Sequence, residues 1–419
     1  MAEQTDRRQK WICVRMSLIG GLMIFGLLAV IGRVYYLQTV KREKLDAYAN
    51  EQTSGAVELT ASRGHILDRN GVELAVTTDV PSIYVHPHKV DKPRRAARRL
   101  SPHLNLEVDE LVERLSSDSS FVWLERQVKP ASARAIDKLD VSGVESVTEH
   151  KRYYPLGPRA GQLLGFVGID GNGLEGLERM LDDTLDGGAY ELFGTRDAHG
   201  RTILSRSVPN LSKLQGDTVE LTIDERIQHV AQMAVAEQVE KYDAAAGYGV
   251  VMKAESGEVL AVTNTPHFDP NRFQDFSSRD WRLRTVTDTF EPGSIFKPFV
   301  LSAALEEGTV SPNTVFDCEE GAIRIGKHTV RDSHPHEELT AAEIIQKSSN
   351  IGAYKIAKTI GKERTYEYIR SFGFGSRTGL GMRGEQPGLV WPSDRWADVT
   401  FANVAFGQGL TATPMQVTT

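Results

Sequence analysis

The chain has 419 residues, 40% of them hydrophobic and 25% charged, with a formal net charge of −7. That length supports two or three domains with their own cores. The composition excludes a disordered or fibrous protein, and the acidic balance argues against nucleic acid as the main partner.

Residues 1–15 are basic, with Arg7, Arg8, Lys10 and Arg15. Met16 to Gly32 carries no charge, and Trp11, Tyr35 and Tyr36 flank it as interfacial aromatics. Residues 16–36 therefore reach the roughly 20 residues that a membrane-spanning helix needs. A retained single-pass anchor is expected. The rival is a cleaved signal peptide, but its cleavage-like triplet Ala47-Tyr48-Ala49 lies too far from the apolar run. The short N-terminus is expected to stay in the cytoplasm, with the bulk of the chain on the outer side of the membrane. Of the two cysteines, Cys13 lies at the edge of this segment and Cys318 far from it. Neither a disulfide nor a cysteine metal site is expected.

Residues 37–60 read as a helical stalk entering a strand. In Arg63-Gly-His-Ile-Leu-Asp68-Arg69-Asn70-Gly71-Val-Glu-Leu-Ala75, the Asn70-Gly71 pair predicts a hairpin turn, and Asp68 and Arg69 read as structural. The basic run over 89–99 reads as a solvated helix face; the alternative is contact with an anionic lipid or wall polymer. Residues 101–150 alternate helical and strand-like pieces. The glycines of 152–178 lack the context of a phosphate loop and read as turn positions. A boundary falls near 209–217. Beyond it, Thr218 to Ile223 alternates like a strand. Asp224 then caps a helix with Ile227, Val230, Ala231, Ala234 and Val235 at helical spacing. Two strands, Tyr248–Met252 and Val259–Thr263, follow across Glu255-Ser256-Gly257-Glu258, the entry to an α/β layer structure.

The chemistry concentrates in Glu291-Pro-Gly-Ser294-Ile-Phe-Lys297-Pro298. Positions i and i+3 share a helix face, so Ser294 and Lys297 can meet, and a serine beside a desolvated lysine is a plausible acylation nucleophile. Pro298 is tolerated only near a first turn, which puts Ser294 at the start of a helix ending at Gly308. There the unpaired N–H groups favour a developing negative charge. A capping box at Thr340 and Glu343 opens a helix over 341–347, which delivers Ser348-Ser349-Asn350 into a link before a second helix, 351–360. Taken singly, Ser294 reads as a cap and Ser348 and Asn350 as loop polarity. Taken together, they read as acyl transfer without histidine: Ser294 attacks, Lys297 takes its proton, Ser348 relays a proton to the leaving amine, and Asn350 binds a substrate amide. His328, His334 and His336 sit in a polar loop without the spacing of a metal site, and no Gly-x-Ser-x-Gly elbow exists.

These two motifs resemble the first two of penicillin-binding proteins and serine β-lactamases. The anchor, the Arg63–Gly71 segment, Arg152-Tyr-Tyr-Pro and Gly165-Phe-Val-Gly-Ile-Asp-Gly-Asn-Gly-Leu-Glu-Gly-Leu-Glu are similar to the pedestal of class B penicillin-binding proteins. The wording around Ser294 and Ser348 is most like the division-specific (septal) branch, of penicillin-binding protein 3 type. The resemblance implies a membrane-anchored multidomain α/β protein: cytoplasmic residues 1–15, a transmembrane helix over 16–36, an α+β dimerisation-type pedestal over 37–212 and a transpeptidase domain from 213. It implies a D,D-transpeptidase that cross-links peptidoglycan stem peptides in septal wall synthesis through an acyl-enzyme on Ser294, and that β-lactams inhibit. Implied partners are a SEDS-type glycosyltransferase, other division proteins and the membrane; no metal or organic cofactor is implied.

The family also carries a Lys-Thr/Ser-Gly motif about a hundred or more residues after Ser-x-Asn. It is absent here; Lys358-Thr359 is followed by Ile360. Thr413-Pro414 opens a new helix just before the last residue. Both features lead to the expectation of a fragment with an incomplete transpeptidase domain. The alternatives are a divisome-binding scaffold without turnover, an elongation- or sporulation-specific transpeptidase, and a β-lactam sensor or hydrolase, for which the long pedestal has no use.

Overall fold

The computed structural model describes residues 2–39, 41–42, 54–196, 202–204 and 215–419. Half of the expected stalk (40 and 43–53, with the triplet 47–49) and most of the expected boundary (209–214 of 209–217) lie outside the described residues. Compactness divides the chain into two units, residues 1–61 with 188–214 and residues 62–187 with 215–419.

In the first unit a continuous helix, Ala2–Thr39, contains the N-terminal apolar run, and its Gly20–Thr39 portion is long and apolar enough to cross a membrane. The basic start belongs to the same helix, because residues 2–15 contain neither glycine nor proline to break it. The unit also holds a three-stranded antiparallel sheet in the order Ser54–Thr60, Ala189–Arg196, Thr202–Leu204.

In the second unit the strand Glu73–Val85 is the spine of a five-stranded sheet. It pairs antiparallel with Val144–Tyr153 from Val76↔Tyr153 to Val85↔Val144, and with Val122–Glu125 at its far end. Its Ile83 and Val85 are buried with Ala97, Leu100, Leu111, Leu115, Ala133 and Ile136 from three short helices. Each fully buried leucine contributes about 2 kcal/mol. The basic run forms one of these helices, Pro93–Leu100: Ala96, Ala97 and Leu100 turn inward, while Arg94, Arg95, Arg98 and Arg99 are exposed.

The Asn70-Gly71 turn joins Ile66–Leu67 to Glu73–Val85, with Gly71 at φ +79°. Asp68 directs it. Its buried carboxylate accepts the backbone N–H groups of Asn70 (2.7 Å) and Val72 (2.8 Å) within the turn and of Glu225 (3.1 Å) at the start of the helix Glu225–Lys241. Burial alone would raise the Asp68 pKa, but these donors hold it below the usual carboxylate value.

Deeper in this unit, three segments that the sequence presents as separate meet on Glu178, which is fully buried. One carboxylate oxygen takes Arg63 Nε and the other Arg152 Nε, both at 2.7 Å. Arg63 also reaches Asp182 (2.6 Å), and Arg152 reaches the Gly64 carbonyl (2.6 Å). The glycines around this knot do two jobs. Gly165 and Gly176 have φ +73° and +62°, and a Cβ on Gly165 would come within 1.8 Å of the Glu175 carbonyl oxygen. Gly161, Gly168 and Gly173 are not left-handed, so the turn reading holds only for the others; a Cβ on Gly173 would meet the Glu178 carbonyl at 2.1 Å, so that glycine serves close packing.

The expected strand over 218–223 shrinks to Val219–Glu220, which runs parallel to Ile66–Leu67. Single backbone bonds continue beyond it, from the Leu221 N–H to the Leu67 carbonyl (2.9 Å) and from the Arg69 N–H to the Ile223 carbonyl (3.0 Å), but the turn at Asp68 ends the regular ladder. Asp224 caps the next helix as expected, accepting from Arg226 N (3.0 Å). The buried face of that helix differs from expectation. Val230 is 68% exposed, and Gln228 and Gln232 are buried instead. Gln228 explains this: its side-chain amide exchanges two hydrogen bonds with the Val262 backbone, 2.9 and 2.8 Å, and so satisfies buried backbone groups of the strand Val259–Thr265. That strand pairs antiparallel with Gly247–Met252. The remaining core gathers Phe296, Val300, Ile344, Ile351, Tyr354, Phe374, Trp396 and Phe401.

Because Glu178 compensates two buried guanidinium groups, Glu178→Ala leaves both charges without it. We expect a loss of about 3–5 kcal/mol, measured by denaturant unfolding. A loss below 1 kcal/mol would contradict the assignment of the knot as a stability element.

Candidate active site

The turn that carries Ser294 is tighter than an α-helix. Gly293–Phe296 is a single 3-10 turn, and α-helical geometry starts at Lys297, in Lys297–Glu306. Pro298 has no N–H to give to the Ser294 carbonyl at i→i−4. The Lys297 N–H takes that carbonyl instead, at i→i−3. Ser294 thus lies one turn before the α-helix rather than on its first residue. The tighter turn also brings side chains i and i+3 into register, so Lys297 sits on Ser294 while Phe296 points into the core against Phe374, ring centroids 5.0 Å apart.

A neighbouring segment holds the turn in place. Gly293, at φ +61°, donates its N–H to the Gly407 carbonyl (2.8 Å). Phe290 and Ala412 exchange backbone hydrogen bonds of 2.9 and 3.0 Å, and the Glu291 carboxylate accepts the Gly409 N–H at 2.8 Å. Gly407 has φ +80°, and a Cβ there would stand 2.1 Å from the Gly293 carbonyl oxygen.

The second element arrives as the sequence predicts. The helix Ala341–Lys347 starts at the Thr340/Glu343 capping box and ends at Ser348; the helix Asn350–Ile360 starts after Ser349. Ser348 has φ +59° and ψ +40°, a left-handed conformation that is costly for a non-glycine residue.

Lys297 joins the two elements. It is 2% exposed, whereas Ser294 is exposed. Its Nζ donates to Ser294 Oγ (3.1 Å), Ser348 Oγ (3.0 Å) and the Ser348 carbonyl (2.6 Å). An ammonium has three N–H donors, and these three oxygens take all of them. A neutral amine has two donors and one lone pair, and of the three oxygens only a hydroxyl can donate to that lone pair. Loss of the lysine proton therefore turns one serine O–H toward nitrogen, which is the arrangement a general base needs. Burial lowers the Lys297 pKa from 10.5 to about 8, while the negative charge of Asp332 works in the opposite direction. At pH 7 about one amine in ten is neutral.

Asn350 is close by but not part of this triangle. Its Nδ2 donates to the Arg331 carbonyl at 2.9 Å, which ties it to the strand His328–Arg331. His328 and His334 are exposed, and among the described residues no group of three or more His, Cys, Asp or Glu is placed to hold a metal.

Comparison with known proteins gives this geometry a family. The penicillin-binding protein transpeptidase domain matches residues 247–419, and the penicillin-binding protein dimerisation domain matches 58–221. The peptidoglycan D,D-transpeptidase FtsI of Escherichia coli is 33% identical over 99% of this chain and 71% of its own length. The chain belongs to the class B penicillin-binding proteins. Stage V sporulation protein D of Bacillus subtilis is 32% identical over 95% of this penicillin-binding protein and 62% of its own length. The crystal structure of a peptidoglycan synthetase from Bifidobacterium adolescentis has a TM-score of 0.65 at 29% identity, covering 87% of this chain and 71% of that one. As a class B penicillin-binding protein, the chain is a transpeptidase of the serine type.

Sequence reasoning did not single out Gly407 or Asp332 in this penicillin-binding protein. Gly407 accepts a backbone N–H 114 residues away and Asp332 one 18 residues away, and no local pattern marks either.

Two outcomes follow from the site. Gly407→Ala is expected to slow acylation by a fluorescent penicillin at least ~10-fold, since its Cβ displaces the Gly293 carbonyl; an unchanged rate would show that the turn does not depend on this contact. The Lys297 amine binds its proton more weakly folded than unfolded. Its burial therefore penalises the fold below pH 8, and stability recovers as pH rises from about 8 to 10.5. Lys297→Met removes this dependence. The melting temperature of the variant relative to the parent is expected to be higher at pH 7 than at pH 10, and a constant difference would refute the lowered pKa.

Proposed function

We propose that this chain is a peptidoglycan D,D-transpeptidase of septal wall synthesis. The observation that carries the chemistry is the buried Lys297 amine bridging an exposed Ser294 hydroxyl and the Ser348 hydroxyl. Ser294 Oγ attacks the carbonyl carbon of the penultimate D-alanine of a donor stem, and its proton passes to neutral Lys297. The C–N bond breaks, and D-alanine leaves as an amine that takes a proton through Ser348. The resulting ester on Ser294 is attacked by an acceptor-stem amine; its surplus proton passes through the Lys297–Ser348 pair to Ser294 Oγ as the ester C–O bond breaks, which restores the free hydroxyl and the neutral amine. Asn350 binds the stem amide through its side-chain oxygen, its Nδ2 being engaged by Arg331. β-Lactams acylate the same serine.

In this reading residues 1–15 lie in the cytoplasm, 16–36 anchor the chain, 37–212 form the pedestal and 213–419 belong to the transpeptidase domain, outside the membrane. No cofactor takes part. The partners are a SEDS-type glycosyltransferase and other division proteins. The septal assignment is supported by the wording around Ser294 and Ser348 and by the similarity to FtsI over nearly the whole chain. The similarity to stage V sporulation protein D favours a second reading, a sporulation role on the same chemistry.

Stoichiometric labelling of the chain by a fluorescent penicillin, abolished in Ser294→Ala, is the expected result; labelling that survives Ser294→Ala would remove the nucleophile from this site. Depletion in the native cell separates the roles. Filaments support septal synthesis, rounded cells indicate elongation, and a defect confined to spores indicates the sporulation reading.

A further inference from the structure

Asp332 follows the strand His328–Arg331 and belongs to neither catalytic motif. Its Oδ1 accepts the N–H groups of Asn350 (2.6 Å) and Ile351 (3.0 Å), and its Oδ2 accepts the Ser349 hydroxyl (2.5 Å). The same hydroxyl accepts the Gly352 N–H at 2.9 Å. Three of the four orphan N–H groups of the eleven-residue helix Asn350–Ile360 are thereby satisfied, and a carboxylate at that end also suits the helix dipole. Arg331, the preceding residue, holds the Asn350 side chain through its carbonyl.

An ordinary cap would end there. This one has a strained residue immediately before it. Ser348 is left-handed, and in that conformation both its carbonyl and its hydroxyl accept from Lys297 Nζ. There is little slack on the other side of the link: a Cβ on Gly352 would stand 2.4 Å from the Ile344 side chain, so the two helices are in contact, and Ser349 Oγ also lies 3.6 Å from the buried Cys318 Sγ. A strained backbone persists only where its surroundings over-determine it. We propose that Asp332 is a positioning residue for acyl transfer, whose carboxylate clamps residues 349–351 so that Ser348 stays in the conformation that presents two oxygens to Lys297. The proposal rests on Ser294 being the nucleophile.

Asp332 also acts on Lys297 through its charge, opposing the effect of burial. Other charged groups on the adjoining elements are engaged elsewhere or point to solvent. Lys355 pairs with Glu319 (2.7 Å) and Asp317 (3.9 Å), while Arg331 and Lys347 are exposed. Removing the Asp332 charge is therefore expected to move Lys297 ionisation to lower pH.

The test uses the full chain in detergent micelles. Asp332→Ala is expected to lower the second-order rate of acylation by a fluorescent penicillin about 10- to 100-fold. Asp332→Asn keeps an acceptor for the two N–H groups, recovers most of that loss and shifts the rise of rate with pH to lower pH. A plain helix cap would lower the melting temperature of both variants and leave rate and pH profile unchanged below it; that result overturns the proposal. Lys297 is followed separately by 13C-lysine NMR, assigned with Lys297→Arg. A Lys297 titration identical in parent and Asp332→Asn also overturns it. Absence of Ser294-dependent labelling in the parent would defeat the nucleophile reading instead, and the Lys297 titration alone would then decide the role of Asp332.

Discussion

The site depends on one buried amine. Lys297 lies in the core beside Phe296, yet among the described residues no carboxylate is in hydrogen-bond contact with it, and its partners are three oxygens from two serines. A paired lysine would remain an ammonium at any working pH. An unpaired one in an apolar setting would cost too much to keep charged. With hydroxyls and a carbonyl as its whole shell, the amine can exist in both protonation states without moving. The 3-10 turn, the left-handed Ser348 and the clamp on the following helix all converge on the same few ångströms around Nζ.

The elements feeding this centre divide the labour. The turn at Ser294 is held from behind by Gly407 and Ala412, contacts made through backbone atoms, and the one at Gly407 is available only because that residue has no Cβ. The link at Ser348 is held from the side by Asp332 and Ser349. Neither support touches the Ser294 hydroxyl, so the proposed nucleophile stays exposed while the segments around it are held in place. That separation suits a site whose substrate is large and must enter from solvent.

Much of this was legible in the sequence, for identifiable reasons. Asn70-Gly71, Asp224, the Thr340 capping box and the Thr413-Pro414 start are local devices whose partners lie within four residues, and each is found where it was expected. The Ser294–Lys297 pairing was legible because a helical turn imposes it. What escaped is long-range. Glu178, Asp332 and Gly407 matter through residues 17 to 115 positions away. The Glu225–Lys241 helix was misread on one face because an apolar stripe is the usual guide to burial, and there two glutamines replace it by bonding to the backbone of their neighbours. Ser294 was placed slightly too deep in its helix because the missing N–H of Pro298 tightens the turn ahead of it.

The Arg63–Glu178–Arg152 knot carries a consequence for biosynthesis. A ribosome delivers Arg63 long before Glu178, and Arg152 between them. During that interval two guanidinium groups destined for the interior have no counter-charge, so that core cannot close. Asp68 faces a longer delay, since its Glu225 donor is made 157 residues later. The hairpin that opens this unit is thus an early product that waits for late ones. A pause or cleavage between residues 71 and 178 would leave a nascent chain with solvated arginines and no means of packing them, a ready target for quality-control proteases.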